Sequence, residues 1–511
     1  MARRVSSNND KNMTGVFRYT QTLQIDINTP TMTYGILSFG AYVPTLRVPR
    51  QIIAEAVSWA VPGIKGLAKG ERAIANWDED SVTLAVEAAR DCLRGIATVP
   101  HQLQLASTTL PFADRSNSGI IAEALQFPDS VTTEDLSGSR RAATSALVRL
   151  AAGRPQQNVL LLAADCREAK PGSIQEMNYG HGAGALLVGD GEPIALLKAA
   201  ASVHDDFVDQ YRAAGNSFDY ALEERWIREE GYHKIVPKAV NAALAQAGLA
   251  ASEIHRFVVP VAPSIAKGIA QALKVDAALF VDPLTHNCGD CGTAQPLLIL
   301  AHALETAVPG EKIMVIGFGQ GADAIILETT PLLAKLQPTH GPRRSLQQRR
   351  ECANYAMFLS LCNQLEIDFG IRAERDNRTS QSAFYRRHHE ITGMVGGFCT
   401  ACRTLQYPRA ERCVKCGEGN TQEPRSLSDL IGRVKSYTED WLAYTRLPPY
   451  IYGNVEFADG ANCMLEFTDF APGQVQVGSP VRMVFRIKDF DERRHFRRYF
   501  WKPAPISAEL I

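Results

Sequence analysis

No run of about eighteen apolar residues exists in this chain, so no segment of it reads as a membrane-spanning helix. No apolar core follows the charged start, as it would in a secretory leader, and a cytoplasmic protein is expected. An excess of charge is missing too. The 54 Lys and Arg are offset by 55 Asp and Glu, for a formal charge of −1, which leaves no basic footprint for nucleic acid. The 11 cysteines are too few and too scattered for a disulfide framework over 511 residues, and they fit a reducing compartment. At this length, with 45% apolar residues, two to four domains are expected.

Against those absences two cysteine pairs stand out: Cys399-Thr-Ala-Cys402 and, after ten residues, Cys413-Val-Lys-Cys416. Thiolates two residues apart on a tight turn converge, and two such knuckles can each hold one side of a tetrahedral Zn²⁺. Four cysteine ligands leave no open position for a catalytic water. The metal is therefore expected to be structural, and the chemistry to lie elsewhere.

From Tyr34 to about Gly191 short apolar runs alternate with amphipathic stretches. Asp80 to Leu93 places Val82, Leu84, Ala85, Ala88 and Cys92 at near-helical spacing, and Asn158 to Ala164 reads as a fully buried strand. The rhythm repeats with helices over Lys234–Ala247, Ser264–Leu273 and Thr293–Thr306 and strands near Phe257 and Ile313. Gly317, Gly319 and Gly321 are followed by an apolar strand-like run, not by a helix. They predict a tight turn between strands, with no helix N-terminus for a nucleotide phosphate. Residues 331–392 are expected to form a linker with one helix through Ser345 to Leu365. After the cysteines, strands near Leu430–Thr438, Tyr450–Phe457, Cys463–Phe467 and Val481–Ile487 predict a small β-barrel.

Taken together, Ala75-Asn-Trp-Asp-Glu-Asp-Ser-Val-Thr, Glu176 with the turn from Gly180 to Ala185, and Gly317-Phe-Gly-Gln-Gly-Ala-Asp323 resemble the hydroxymethylglutaryl-CoA synthase and ketoacyl synthase III branch of the thiolase superfamily. The last part of the chain, with its cysteine pairs and Tyr407-Pro408, is similar to the zinc-ribbon and OB-fold module that accompanies acyl-CoA thiolases and synthases. The resemblance implies an α/β fold: a duplicated five-layered sandwich over 32–192 and 193–330, the helical linker over 331–392, a zinc ribbon over 393–420 and an OB-fold over 421–511. A disordered extension is expected over 1–31. It further implies CoA or acyl-CoA as ligand, a homodimer through the thiolase-like domain, and a separate thiolase subunit as a possible partner.

The same resemblance exposes what is replaced. The family's nucleophilic cysteine, four residues before a threonine, corresponds to Arg140, counted back from Thr144, with Ser139 beside it. The His-x-Pro segment reads Val261-Ala-Pro263, and the Gly-Asn-Thr loop reads Gly289-Asp290-Cys291. Glu79 matches the family's general acid/base carboxylate. Guanidinium stays protonated, so Arg140 cannot be a nucleophile, and no Ser-His-Asp pattern supplies Ser139 with a base. The catalytic candidates are Glu79, Ser139, Arg140 and Asp290, then His181 and Cys291, with His286 and Cys288 nearby in sequence. Buried thiols and backbone-satisfied histidines are the competing readings. Three functions remain open: an acyl-CoA-binding component of thiolase-type carbon–carbon chemistry, a non-catalytic scaffold that presents CoA to a separate thiolase, and an aldol or retro-aldol enzyme on acyl-CoA.

Overall fold

The structure, a computed structural model, describes residues 34–506; the expectation for residues 1–31 lies outside them. Nine strands form one continuous sheet: β1 (Tyr34–Tyr42), β2 (Gln102–Ala106), β3 (Thr132–Leu136), β4 (Val159–Cys166), β5 (His181–Asp190), β6 (Ala195–His204), β7 (Arg256–Val258), β8 (Lys312–Phe318) and β9 (Gly321–Thr329). Their order is β7-β8-β9-β6-β1-β5-β4-β2-β3. The two ends of this order repeat one plan. In the first, β1 pairs antiparallel with β5, β5 antiparallel with β4, and β4 parallel with β2; in the second, β6, β9, β8 and β7 do the same. Among the described residues the strand pairs that join them are Gly35↔Leu196 and Ile36↔Ala195.

The helices complete the duplication. They are α1 (Ser81–Cys92), α2 (Asn117–Ala124), α3 (Ala142–Gly153), α4 (His233–Ala247), α5 (Pro263–Leu273) and α6 (Gln295–Leu304). Helices α3 and α6 touch each other and strands of both halves, which places them in the middle; α1 covers the first half and α4 the second from outside. The predicted five-layered sandwich is present. Close approach between layers needs glycine at two points. A Cβ on Gly317 would lie 1.9 Å from Thr144 Oγ1, and one on Gly180 would lie 1.8 Å from the Cys288 carbonyl.

The ribbon strands are β10 (Val395–Cys399), β11 (Leu405–Gln406) and β12 (Gln422–Ser426). The OB-fold sheet follows as β13 (Gly432–Asp440), β14 (Tyr450–Glu456), β15 (Asn462–Glu466), β16 (Pro480–Asp491) and β17 (Phe496–Pro505), in the order β15-β14-β13-β16-β17. The expected OB-fold is present, and its two edge strands, β15 and β17, come into contact without a continuous ladder. No ladder joins β15 to β17 among the described residues, and a Thr468 N–H to Pro503 C=O bond of 3.0 Å links the chain beyond β15 to β17. The single helix expected from Ser345 to Leu365 is two, Arg343–Gln347 and Tyr355–Leu361. Between them Arg350 and Glu351 pair with Leu46 and Arg47, and strand pairing there overrides helical propensity.

Helix α1 shows how the parts join. Its sequence predicts one buried stripe, yet Ser81 to Ala89, Asp91 and Cys92 are all buried, charged Glu87 and Asp91 among them. The stripe faces the sheet; the other face lies under β16. One apolar cluster runs from Val82, Leu84 and Val86 through Met394 and Leu405 to Val481, Phe485 and Trp501.

Candidate functional site

Two places in the fold gather the candidate residues. The first lies in the middle layer, where α3 and α6 begin. Because the halves are duplicates, the residue before α3 and the loop before α6 occupy equivalent positions and face each other. Each start is tied to the other half. Ser139 Oγ donates to the Gly319 carbonyl (3.1 Å), and Arg141 Nε donates to the same oxygen (2.8 Å). Across the pseudo-symmetry, the Asp290 carbonyl accepts from Gly180 N–H (2.9 Å) and Asp290 N–H donates to the Asn178 carbonyl (2.7 Å). Two buried aspartates complete the tie: Asp323 accepts from Thr144 and Ser145, and Asp165 accepts from the Thr293 N–H.

At the centre of this arrangement Arg140 and Asp290 form an ion pair, with side chains 18% and 21% exposed. Burial alone would raise the Asp290 carboxyl, but Arg140, Arg167 and the Gly292 N–H, 2.9 Å from Oδ1, hold it below the usual carboxylate range. Burial would weaken the Arg140 cation; Asp290, with smaller help from Tyr232 and Tyr179, reverses this and raises it. A second pair extends the first. Arg167 bonds Asp219 at 2.5 Å, its guanidinium lies 4.3 Å from the Tyr179 ring centre, and the Tyr179 hydroxyl donates to Asp219 (2.9 Å). The charged candidates Arg140 and Asp290 are thus paired with each other.

The remaining candidates are satisfied locally. His181 Nδ1 accepts from Ala75 N–H (2.8 Å), so its proton sits on Nε2, 3.2 Å from the Arg167 carbonyl; burial and the nearby Arg72 push the ring down to about 3. Ser139 Oγ is used on Gly319 and accepts from Arg141 N–H (3.3 Å). Cys291 and Cys288 are fully buried, and the Cys291 thiol is pushed well up by Cys288 beside it and by burial. His286 is an exposed loop residue whose carbonyl accepts from Glu71 N–H (2.9 Å).

The second place is the junction between α1 and the OB-fold, and it contains Glu79. Three consecutive carboxylates each find a cation there: Asp78 with Lys502 (2.9 Å), Glu79 with Arg486 (2.9 Å) and Asp80 with Arg497 (3.0 Å). Asp80 also caps α1 through the Val82 and Thr83 N–H groups and accepts from the Tyr499 hydroxyl (2.7 Å). Glu79 accepts from the Tyr42 hydroxyl (2.8 Å) and the Asn76 N–H (2.9 Å). Burial raises its carboxyl to about 7, with Arg486 pulling the other way. Beside this ladder opens a cleft of 1630 Å³ that both domains line, with Glu79, His181, Thr109 and Cys166 on one wall and Lys488, Arg497, Tyr444 and Arg375 on the other. Glu79 and His181 thus share one cavity, while Ser139, Arg140, Asp290 and Cys291 are not among its lining residues.

Sequence reasoning missed Arg167, Asp219, Arg486 and Lys502. Arg167 closes the apolar run of β4, a readable signal, whereas Asp219 lies in a polar loop with none. Arg486 and Lys502 look like ordinary surface charges of β-strands, yet both are at most 1% exposed.

The four ribbon cysteines converge. Their sulfurs lie within 4.8 Å of one another, with Cys402···Cys413 at 3.5 Å and Cys399···Cys416 at 3.7 Å. A tetrahedron with Zn–S of about 2.3 Å has edges of about 3.8 Å, so the cluster is consistent with a zinc ribbon. Thr421 and Thr404 hydroxyls lie 3.2 and 3.3 Å from the Cys399 and Cys402 sulfurs.

Comparison with known proteins agrees with this architecture. Residues 244–328 match the C-terminal part of 3-oxoacyl-[acyl-carrier-protein] synthase III, and residues 425–486 match the C-terminal OB-fold domain of ChsH2. A hydroxymethylglutaryl-CoA synthase from Aeropyrum pernix is 27% identical over 357 residues, covering 66% of this chain and 97% of the relative. One from Caldivirga maquilingensis is 28% identical over 350 residues, covering 64% and 97%. Among solved structures, MvaS in complex with 3-hydroxy-3-methylglutaryl coenzyme A superposes with a TM-score of 0.57 at 18% identity, over 66% of this chain and 93% of that one. An HMG-CoA synthase complexed with CoA gives 0.55 at 19%, over 68% and 95%.

Proposed function

We propose that this chain, a thiolase-like domain of the hydroxymethylglutaryl-CoA synthase and ketoacyl synthase III kind followed by a four-cysteine cluster and an OB-fold domain, is an acyl-CoA-binding component of carbon–carbon bond chemistry that forms no acyl-enzyme. The relatives support acyl-CoA and carbon–carbon bond formation. The Arg140–Asp290 pair carries the rest, because it fills the helix start where the resembling synthases keep their cysteine. A dipole at that start lowers a thiol pKa but cannot make a nucleophile of an arginine, and Ser139 has no base within reach of its bonds. The acyl-accepting cysteine then belongs to a separate thiolase subunit, and the thiolase-like domain dimerises as its relatives' resemblance implies.

Intact-mass analysis after incubation with acetyl-CoA tests this: no covalent acyl adduct is expected. An adduct on Ser139 or Cys291 overturns it. Calorimetry should detect CoA binding by the chain alone or with a thiolase partner, and no binding in either case removes the acyl-CoA reading.

A second reading, an aldol or retro-aldol step carried out by this chain, is favoured by one observation. Glu79, raised to about 7, lines the cleft and is poised to exchange a proton near neutral pH. Loss of a carbon–carbon cleavage activity in Glu79→Gln with CoA binding intact supports it; full activity of the complex with that variant favours the scaffold. The cysteines Cys399, Cys402, Cys413 and Cys416 are assigned to one structural Zn²⁺. Cys413→Ser with Cys416→Ser should remove that equivalent and unfold the ribbon, and full metal retention would refute the assignment.

A further inference from the structure

A second group of metal-ligating side chains lies away from both the cysteines and the cleft. Glu123, in the last turn of α2, faces His388 and His389, which follow one another on the short helix His388–Ile391 leading into β10. His389 Nδ1 is 2.7 Å from Glu123 Oε1, His388 Nε2 is 3.8 Å from Oε2, and the ligand atoms of all three residues lie within 4.8 Å of one another.

The state of His388 is fixed by its other nitrogen. Its Nδ1 is 2.5 Å from the Tyr385 carbonyl, and its ring stacks on Tyr385 at 5.4 Å with 9° between planes. A carbonyl only accepts, so the proton sits on Nδ1 and the Nε2 lone pair points toward Glu123. A ring nitrogen free for the ion, with the other held on a backbone carbonyl, is the outer arrangement that orients metal-ligating histidines. Hydrogen bonding does not account for this geometry by itself. It explains His389, but 3.8 Å is too long for a bond from His388 to the carboxylate. An ion at the centre explains both rings. With bonds of about 2.0–2.1 Å, a tetrahedral site needs ligand atoms about 3.4 Å apart, which small movements of these partly exposed side chains supply.

We infer that Glu123, His388 and His389 form a site for a borderline divalent transition metal, with Zn²⁺ as the natural probe and one position left for water. The ion would clamp the thiolase-like domain to the segment entering the ribbon, next to the bond from Gln126 Nε2 to the Gly393 carbonyl (2.8 Å).

The test titrates Zn²⁺, and in parallel Co²⁺, into the full-length chain with its cysteine cluster already loaded. One further equivalent of micromolar affinity is expected, and its Co²⁺ form should lack the intense sulfur-to-metal absorption of the cysteine site. Glu123→Gln and His388→Ala should each weaken this equivalent about tenfold or more while leaving the cysteine-bound metal in place. Should the cysteines hold no metal, the site becomes the first equivalent, and the same variants must weaken it to the same degree. No saturable equivalent below millimolar metal, or an equivalent retained in both variants, overturns the inference.

Discussion

Two arginine–carboxylate pairs sit at the two places where function was expected, and they differ in what surrounds them. Arg140–Asp290 joins the starts of two equivalent helices within one domain and keeps about a fifth of each side chain in solvent. Arg486–Glu79 joins two domains, with its side chains 0% and 1% exposed and a second carboxylate, Asp469, on the same guanidinium at 3.0 Å. The first pair holds its carboxyl below the usual range; the second leaves it raised to about 7. One chemistry therefore joins two helix starts within a domain in one region and welds two domains in the other. Burial of the pair as a whole separates the two.

The largest effect should come from breaking the weld. Arg486→Met leaves the buried Glu79 and Asp469 carboxylates without their cation and should cost about 3–5 kcal/mol in chemical denaturation. Arg140→Ala should cost less, about 1–3 kcal/mol, because water reaches Asp290. Arg140→Leu combined with Asp290→Leu should recover most of that loss, as replacing both partners removes the unpaired charge. If Arg140→Ala proves the costlier change, the two regions have been ranked the wrong way round.

The titrations sharpen the contrast further, since their signs are opposite. Asp290 has a lowered folded pKa, so its contribution to stability is present above its ordinary value of 3.8 and is lost as pH falls through the folded value. Glu79 has a raised folded pKa, so stability due to it declines as pH rises from 4.5 to about 7. Relative to wild type, Glu79→Gln should gain melting temperature as pH rises from 4.5 to about 7, and Asp290→Asn should lose it as pH rises toward and through the ordinary carboxylate value of 3.8. Parallel slopes for the two variants would remove the distinction. The smallest effect is expected from Asp376→Asn, whose exposed pair with Arg378 should leave the melting temperature unchanged.

The sequence made the sandwich readable because each buried strand and amphipathic helix carries its own periodicity, as in β4 and α4. It hid β17, since Arg497 and Lys502 resemble solvent-facing charges until Asp80 and Asp78, just before α1, pair with them, and Arg498 until it pairs with Asp489 of β16. Ser345 to Leu365 misled in the other direction, because a two-residue pairing with Leu46 and Arg47 is invisible to helical spacing. Arg140 and Asp290 were legible as candidates through the resemblance, and the structure brings them together as an ion pair. Glu79 was legible as a position, but its environment was not, because its cation lies in a strand some four hundred residues away.

That separation has a consequence for how the protein is made. Glu87 and Arg482, 2.7 Å apart in the folded chain, are 395 residues apart along it. At about 5–20 residues per second, a nascent α1 waits on the order of 20 to 80 seconds before its cover leaves the ribosome. Through that interval the helix must present an unfinished surface to the cell. Until then Glu87, and Asp78, Glu79 and Asp80 just before the helix, are charged groups that water can solvate, and their cations reach them last.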